Sequence, residues 1–334
     1  MNAPRVGLFL SGQHPSEVRP ADAVGEHLEQ VAMARELGFS SVWAGQHFLS
    51  HPFQMFQNIP LLARVAAEAE GMTIGTGIIL LTLLNPLEVA ENAATLDAIV
   101  DGRFVLGVGF GYRPVESAGF AVDRERRGLF ELKLDVVRRL LAGEEVTAEG
   151  QGFRLNSARL SLLPEIPPPL WIAADADAAV RRAARLGDTW MISPHTNLAE
   201  LERQAALFRV AREEAGREPV AGLPILKEVC VARTDEEAIA VARPFLQSKY
   251  ETYVDWGQSE ALPAGDTLRR EWDELTAGGR FILGSPATCA AQIREHVDRL
   301  GIDELICRAQ WPGMPQKDVL RTLRLLAEEV LPAV

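Results

Sequence analysis

The sequence predicts a (β/α)8 barrel. Eight short apolar runs alternate with longer amphipathic ones almost without interruption. The short runs are apolar at consecutive positions, as parallel strands buried on both faces are. The length of 334 residues accommodates eight right-handed strand–helix units closing on themselves. An open doubly wound sheet is the alternative, but eight units suit closure.

Residues 5–10 read as the first strand and 21–37 as its helix, stopped by Gly38. Residues 41–44 form the second strand, followed by a helix over about 59–70. The third strand, 73–81, is rich in Ile and Leu and bounded by Gly71 and Pro86; its helix is 87–100, with Asp101-Gly102 as the stop. The fourth unit is a strand at 104–108 and a long helix at 123–141 ended by Gly143. Residues 146–169 break the rhythm with Gly150, Gly152 and Pro167-Pro168-Pro169, so a β-hairpin is expected as an insertion after the fourth unit. Units five to seven are 170–173 with 176–186, 189–192 with 198–214, and 225–232 with 236–245. A second irregular insertion, about 255–279, separates the seventh strand from a helix at 286–300. The last strand is 304–309 and the closing helix 319–330. One domain over residues 1–334 is expected.

Composition narrows the function. The chain is 47% hydrophobic and 24% charged, with a formal net charge of −12. Polyanions are repelled by such a surface, which argues against nucleic acid and anionic membranes as partners. No apolar run reaches the roughly 18–20 residues of a membrane span, and the N-terminus lacks a signal peptide's apolar core, so a cytoplasmic protein is expected. The three cysteines, Cys230, Cys289 and Cys307, have no C-x-x-C spacing, so neither a disulfide framework nor a zinc site is expected. His47 and His51 lie four apart but follow a strand with no glutamate between them, and no metal is expected there.

In such a barrel the chemistry lies just after the strands. Those positions hold Gln13 and His14, Gln46 and His47, then Gly77 and Ile78 late in the third strand. Gly109, Phe110, Gly111, Tyr112 and Arg113 follow the fourth strand, Asp175 the fifth and His195 the sixth, while Arg308 and Trp311 come from the eighth. Three histidines therefore share one rim, where imidazole can exchange protons near neutrality. The glycines at 107, 109 and 111 do not make a dinucleotide fingerprint, because Tyr112-Arg113-Pro114 intervenes before any helix. Ala173-Ala174-Asp175-Ala176-Asp177 opens a helix. Its free N–H groups suit a phosphate, although the two aspartates also read as plain N-caps.

These segments, taken in order, resemble the bacterial luciferase-like monooxygenases. Ser41-Val42-Trp43-Ala44-Gly45-Gln46-His47-Phe48 is similar to the family's second-strand segment, and Met72 through Leu80 to its third strand. Asn85-Pro86, Asp101-Gly102-Arg103-Phe104, Gly107-Val108-Gly109, Gly284-Ser285-Pro286 and Arg308-Ala309-Gln310-Trp311-Pro312-Gly313-Met314 continue the likeness. The resemblance implies a TIM barrel holding reduced flavin mononucleotide (FMN), or in other members the deazaflavin coenzyme. It implies that His47 is the catalytic histidine and that Thr76, Gly77 and Ile78 back the flavin ring through a non-prolyl cis peptide. Gly109, Phe110, Gly111, Tyr112, Ala174, Asp175 and Ala176 then bind the cofactor, with Arg113 and Arg127 as its cationic partners. His14, Leu81, His195 and Trp311 are expected to line the substrate pocket beside Tyr112. Gln46 replaces the usual Glu, Phe48 the second His, and Phe110 stands where the luciferase α subunit has an Arg. The stretch from Phe245 through Tyr250, Tyr253 and Trp256 to Gly279 corresponds to the family's mobile loop and is expected to be a lid.

The resemblance further implies a two-component monooxygenase. A separate flavin reductase supplies the cofactor, a small organic molecule is the substrate, and the alanine-rich helices at 59–70 and 87–100 pair in a homodimer. The alternatives are a deazaflavin-dependent hydride-transfer enzyme and a non-catalytic flavin-binding protein.

Overall fold

The structure, a computed structural model, describes residues 3–123 and 128–334. Eight parallel strands form the barrel: β1 (Arg5–Leu10), β2 (Ser41–Ala44), β3 (Thr73–Thr76), β4 (Phe104–Gly109), β5 (Leu170–Ala173), β6 (Thr189–Met191), β7 (Leu223–Val231) and β8 (Ile302–Arg308). Each pairs with its sequence neighbour from β1 to β6, and β8 lies between β1 and β7. The ring closes between β6 and β7, where Ile192 pairs with Ile225 and its N–H donates to Pro224 O at 3.0 Å. The fold class read from the sequence is the one observed.

Four of the helices start where a side chain caps them. Asn85 accepts from Leu87 N ahead of α3 (Pro86–Ile99), and Asn197 accepts from Glu200 N ahead of α6 (Leu198–Glu214). Thr234 and Ser285 do the same for α7 (Asp235–Asp255) and α8 (Pro286–Leu300). Pro86 and Pro286 sit at the first helical turn, where the missing N–H costs nothing.

Strand alternation divides the core. Leu8, Val42, Ile74, Leu106 and Ile172 point outward into the layer shared with the helices. Phe9, Trp43, Val105, Met191, Leu226 and Ile306 point inward and plug the barrel. Trp43 stacks on Trp171 at 4.8 Å and donates to Ser41 Oγ at 2.8 Å. Its bulk fits because the neighbouring position on β3 is Gly75, where a Cβ would lie 2.2 Å from the indole. At Gly107 a Cβ would lie 1.9 Å from the backbone oxygen of Thr76, which no rotamer change relieves. Gly107→Ala is therefore expected to cost about 3 kcal/mol, read as a lower urea midpoint.

Four local expectations need correction. The third strand, expected over 73–81, is broken: β3 ends at Thr76, a cis Gly77–Ile78 peptide follows, and Ile79–Leu80 re-pairs with β4. Ile74 before the break and Ile79 and Leu80 after it hide it from hydrophobicity. The second helix ends at Val65, not near residue 70. A short helix, Pro114–Gly119, started by Pro114, precedes α4 (Leu129–Leu141), whereas the sequence places no helix between the fourth strand and residue 123. Finally, α7 runs ten residues beyond the expected 245, through Pro244, because Leu246, Lys249, Tyr250 and Tyr253 form one buried stripe. The hairpin is present as Val146–Gly150 and Phe153–Ala158, turning at Gly152 with φ 82°.

Candidate active site

A cavity of about 350 Å³ opens at the C-terminal ends of the strands. Phe9, Met191 and Leu226 form its apolar floor.

His47 enters from the loop after β2. Its Nδ1 lies 3.0 Å from Glu116 Oε1, supplied by the short helix Pro114–Gly119. The Glu116 side chain is buried, and Oε1 also accepts from Phe48 N at 2.9 Å and Arg113 Nη1 at 3.3 Å. Burial alone would raise this carboxyl, but the bonds from His47, Phe48 and Arg113 outweigh it and hold the pKa below the usual range. An ionised carboxylate only accepts, so Nδ1 carries the proton and Nε2 is left for the cavity. Tyr112, Tyr253 and Trp256 surround the imidazole edge-on at 5.8, 6.2 and 5.7 Å.

At the end of the neighbouring strand lies the Gly77–Ile78 peptide, with Gly77 N donating to Ala44 O at 2.9 Å. Gln46 braces it by accepting from Leu80 N at 3.0 Å, and Asn58 Nδ2 reaches Ala44 O and Ile78 O at 3.4 Å each. A Cβ at Gly109 would lie 2.2 Å from Ile78 Cδ1, so the glycine leaves the space that Ile78 fills.

Ala174, Asp175 and Ala176 form the third wall, at the start of α5 (Asp177–Leu186). Ala176 offers no side-chain cap, so the first helical N–H groups remain available to an anion. The Asp177 carboxylate turns outward to Arg203, which holds its pKa down, and Asp175 Oδ1 is bonded to Ser193 Oγ at 2.5 Å. Further along α5, Arg182 lines the cavity with its guanidinium 5.4 Å from the Phe110 ring centroid and 5.0 Å from that of Phe130. Its Nε is buried without a partner among the described residues.

The family model described as luciferase-like monooxygenase matches residues 4–304. The chain belongs to the luciferase-like monooxygenase family. It is similar over 98% of its length to the monooxygenase RslO1 from Streptomyces bottropensis, at 26% identity, 99% coverage of that chain and a TM-score of 0.83. It is 25% identical to limonene 1,2-monooxygenase of Rhodococcus erythropolis, over 98% of this chain and 85% of that one. It is 30% identical to the F420-dependent glucose-6-phosphate dehydrogenase of Nakamurella multipartita, over 90% and 89% of the two chains. The protein is thus an enzyme of an oxidoreductase family.

In this luciferase-like barrel the cavity gathers His47, Gly77, Ile78, Gly109, Phe110, Gly111, Tyr112, Ala174, Asp175, Ala176 and His195. His195 hydrogen-bonds Tyr250 Oη through Nδ1 at 3.1 Å. Burial, and then the cations Lys249, Arg308 and Arg280, hold it far below its usual pKa, so it is neutral.

Other expected site residues lie elsewhere. Thr76 points into β4, its Oγ1 donating to Gly107 O and accepting from Gly107 N, both at 2.8 Å. His14 faces α1 (Pro20–Glu36), where its Nε2 meets His27 Nε2 at 3.0 Å. Leu81 packs in the outer core, and Trp311 lies behind the wall with Nε1 2.6 Å from Glu228 Oε2. Arg113 is consumed internally, donating to Phe48 O, Leu49 O and Glu116 and lying 3.9 Å over the Trp256 ring. Arg127 lies outside the described residues.

Two residues escaped the sequence reading. Arg182 follows Ala176 and Ala179 at intervals of three, which puts all three on one helical face, and all line the cavity. Glu116 sits in the first turn of a helix that Pro114 could have announced.

Proposed function

We propose that the chain is the oxygenase of a two-component monooxygenase that binds reduced FMN from a separate reductase and oxidises a small organic substrate with molecular oxygen. The observation that carries this reading is the uncapped start of α5 with Arg182, whose Nη1 pairs with Glu131 Oε1 at 3.4 Å and whose Nε has no partner among the described residues, opening onto the same cavity as His47. A flat ring ending in a phosphate suits that arrangement. Backbone N–H groups and a guanidinium hold the phosphate, while Gly77–Ile78 supports the ring. Bound reduced flavin supplies the electrons and the site of oxygen activation. His47 holds or delivers a proton at Nε2, its tautomer set by Glu116. Tyr253 and Trp256, stacked at 5.3 Å, cover the imidazole and keep water from it.

A second reading, hydride transfer with the deazaflavin coenzyme, is supported by the 30% identity to an F420-dependent dehydrogenase. Anaerobic titration with both reduced cofactors, followed by oxygen-uptake assays over a substrate panel, separates them. Arg182→Gln is expected to weaken FMN binding by about 10- to 100-fold, the value of a charge-assisted phosphate contact. Riboflavin, which lacks the phosphate, should bind the variant as it binds the wild type. Equal losses for both ligands would remove Arg182 from the phosphate site. The reading includes a single domain and a homodimer packed through α2 (Asn58–Val65) and α3. Sedimentation as a monomer would contradict the dimer.

A further inference from the structure

The wall facing away from the phosphate site carries a cation that the proposed chemistry does not use. Arg308, the last residue of β8, lines the cavity yet is only 7% exposed. Its guanidinium lies 4.3 Å from the Phe9 ring centroid. Nη1 donates to Glu228 Oε1 at 3.1 Å, and Nε is buried without a hydrogen-bond partner among the described residues. Glu228 is already well supplied. Lys249 Nζ lies 2.5 Å and Tyr250 Oη 3.2 Å from its Oε1, and Trp311 Nε1 lies 2.6 Å from Oε2.

One buried carboxylate therefore faces both an ammonium and a guanidinium, with Lys249 and Glu228 wholly buried. A surplus cation out of water is costly until a counter-charge arrives. Burial first, and then the Arg308 charge, push Lys249 down to about 7, whereas at Arg308 burial is outweighed by Glu228, so the guanidinium keeps its charge. In the ring of eight strands, β8 stands opposite β4, whose end carries Gly109 to Tyr112. The Arg308 cation is thus opposite Gly109 to Tyr112, and the Phe9 ring that it overlies also borders Gly77.

We propose that Arg308 binds an anionic oxygen of the substrate, so that the substrate is an organic acid, a carboxylate or phenolate. Its apolar body lies over Phe9, Met191 and Leu226, within the cavity that His47 borders. The planar guanidinium, with Nη1 committed to Glu228, presents its other N–H groups as the fork that a delocalised anion fits. This assignment rests on the cofactor reading above, since it leaves the opposite wall to the flavin.

The test compares benzoate, phenylacetate and octanoate with their amides, by thermal shift and calorimetry, with and without FMN. At least one acid is expected to bind the wild type at least tenfold more tightly than its amide, with FMN present. Arg308→Gln should abolish that preference and leave FMN affinity within about twofold, while Arg308→Lys should keep it. The proposal is overturned if acids and amides bind alike, or if Arg308→Gln keeps the preference. It is also overturned if that variant loses FMN tenfold and acids compete with FMN, because the cation then serves the cofactor. Should Arg308→Gln fail to fold, the acid-to-amide ratio in the wild type and in Arg308→Lys decides the matter. Arg308-dependent acid binding in a protein that takes neither FMN nor the deazaflavin coenzyme would uphold this site and sink the cofactor reading.

Discussion

Replacing His47 by alanine is expected to lower kcat/KM by about 10²- to 10⁴-fold while leaving cofactor affinity nearly unchanged. The reason is geometric. The imidazole is fixed by Glu116 at 3.0 Å and ringed by Tyr112, Tyr253 and Trp256, so Nε2 is offered to the cavity in one orientation. Glu116→Gln keeps the volume and removes the charge that selects the tautomer; a smaller loss, about 10- to 100-fold, is expected from it. Stopped-flow turnover beside equilibrium FMN titration separates the two quantities. Turnover within threefold of wild type in His47→Ala would take the proton-handling role away from this residue.

The second large effect is on stability. Urea unfolding should show a steep loss of stability between pH 6.5 and pH 4. Burial holds His14 and His27 down to about 4 and His296 down to about 3, with charged neighbours adding to the shift in His14 and His296. In the unfolded chain these rings take up protons as pH falls through 6.5, but in the folded protein they do not until about pH 4. The unfolded state therefore binds more protons across that window, and stability present above pH 6.5 is lost as pH falls. Each ring held near 4 contributes a loss of about 3 kcal/mol by pH 4. Asp97, Asp175 and Glu304, whose carboxyls burial pushes up, offset part of it. The paired His14 and His27 rings cannot both be charged at 3.0 Å, so His27→Gln should flatten the profile. A urea midpoint unchanged from pH 7 to pH 4.5 would refute this account.

Much of this protein was legible from its residues. Strands buried on both faces leave continuous apolar runs, and Gly or Asp-Gly punctuates the helix ends, so all eight barrel strands could be placed. Position after a strand was enough to bring His47, Gly109 to Tyr112, Ala174 to Ala176 and His195 to one cavity. What the sequence hid were choices made by side chains after the backbone had formed. Arg113 and Arg182 look equally suited to a phosphate. Only the fold shows that Arg113 is held by the carbonyls of Phe48 and Leu49, whereas Arg182, paired with Glu131 at 3.4 Å, lines the cavity beside the start of α5. Thr76 is adjacent to the cavity in sequence but belongs to the opposite phase of the strand, where its hydroxyl ties β3 to β4. His14 follows β1 as expected, yet a hydrogen bond with His27, thirteen residues later, draws it into the core. The Glu228, Lys249 and Arg308 cluster joins β7, α7 and β8, a convergence that no local spacing encodes.

The most direct test of the central claim is a crystal structure of the protein soaked with oxidised FMN. The ring is expected against Gly77–Ile78 with its edge within hydrogen-bonding reach of His47 Nε2, and the phosphate at the start of α5 beside Arg182. FMN bound at another surface, or lying in the cavity with its phosphate away from Ala176 and Arg182, would contradict it.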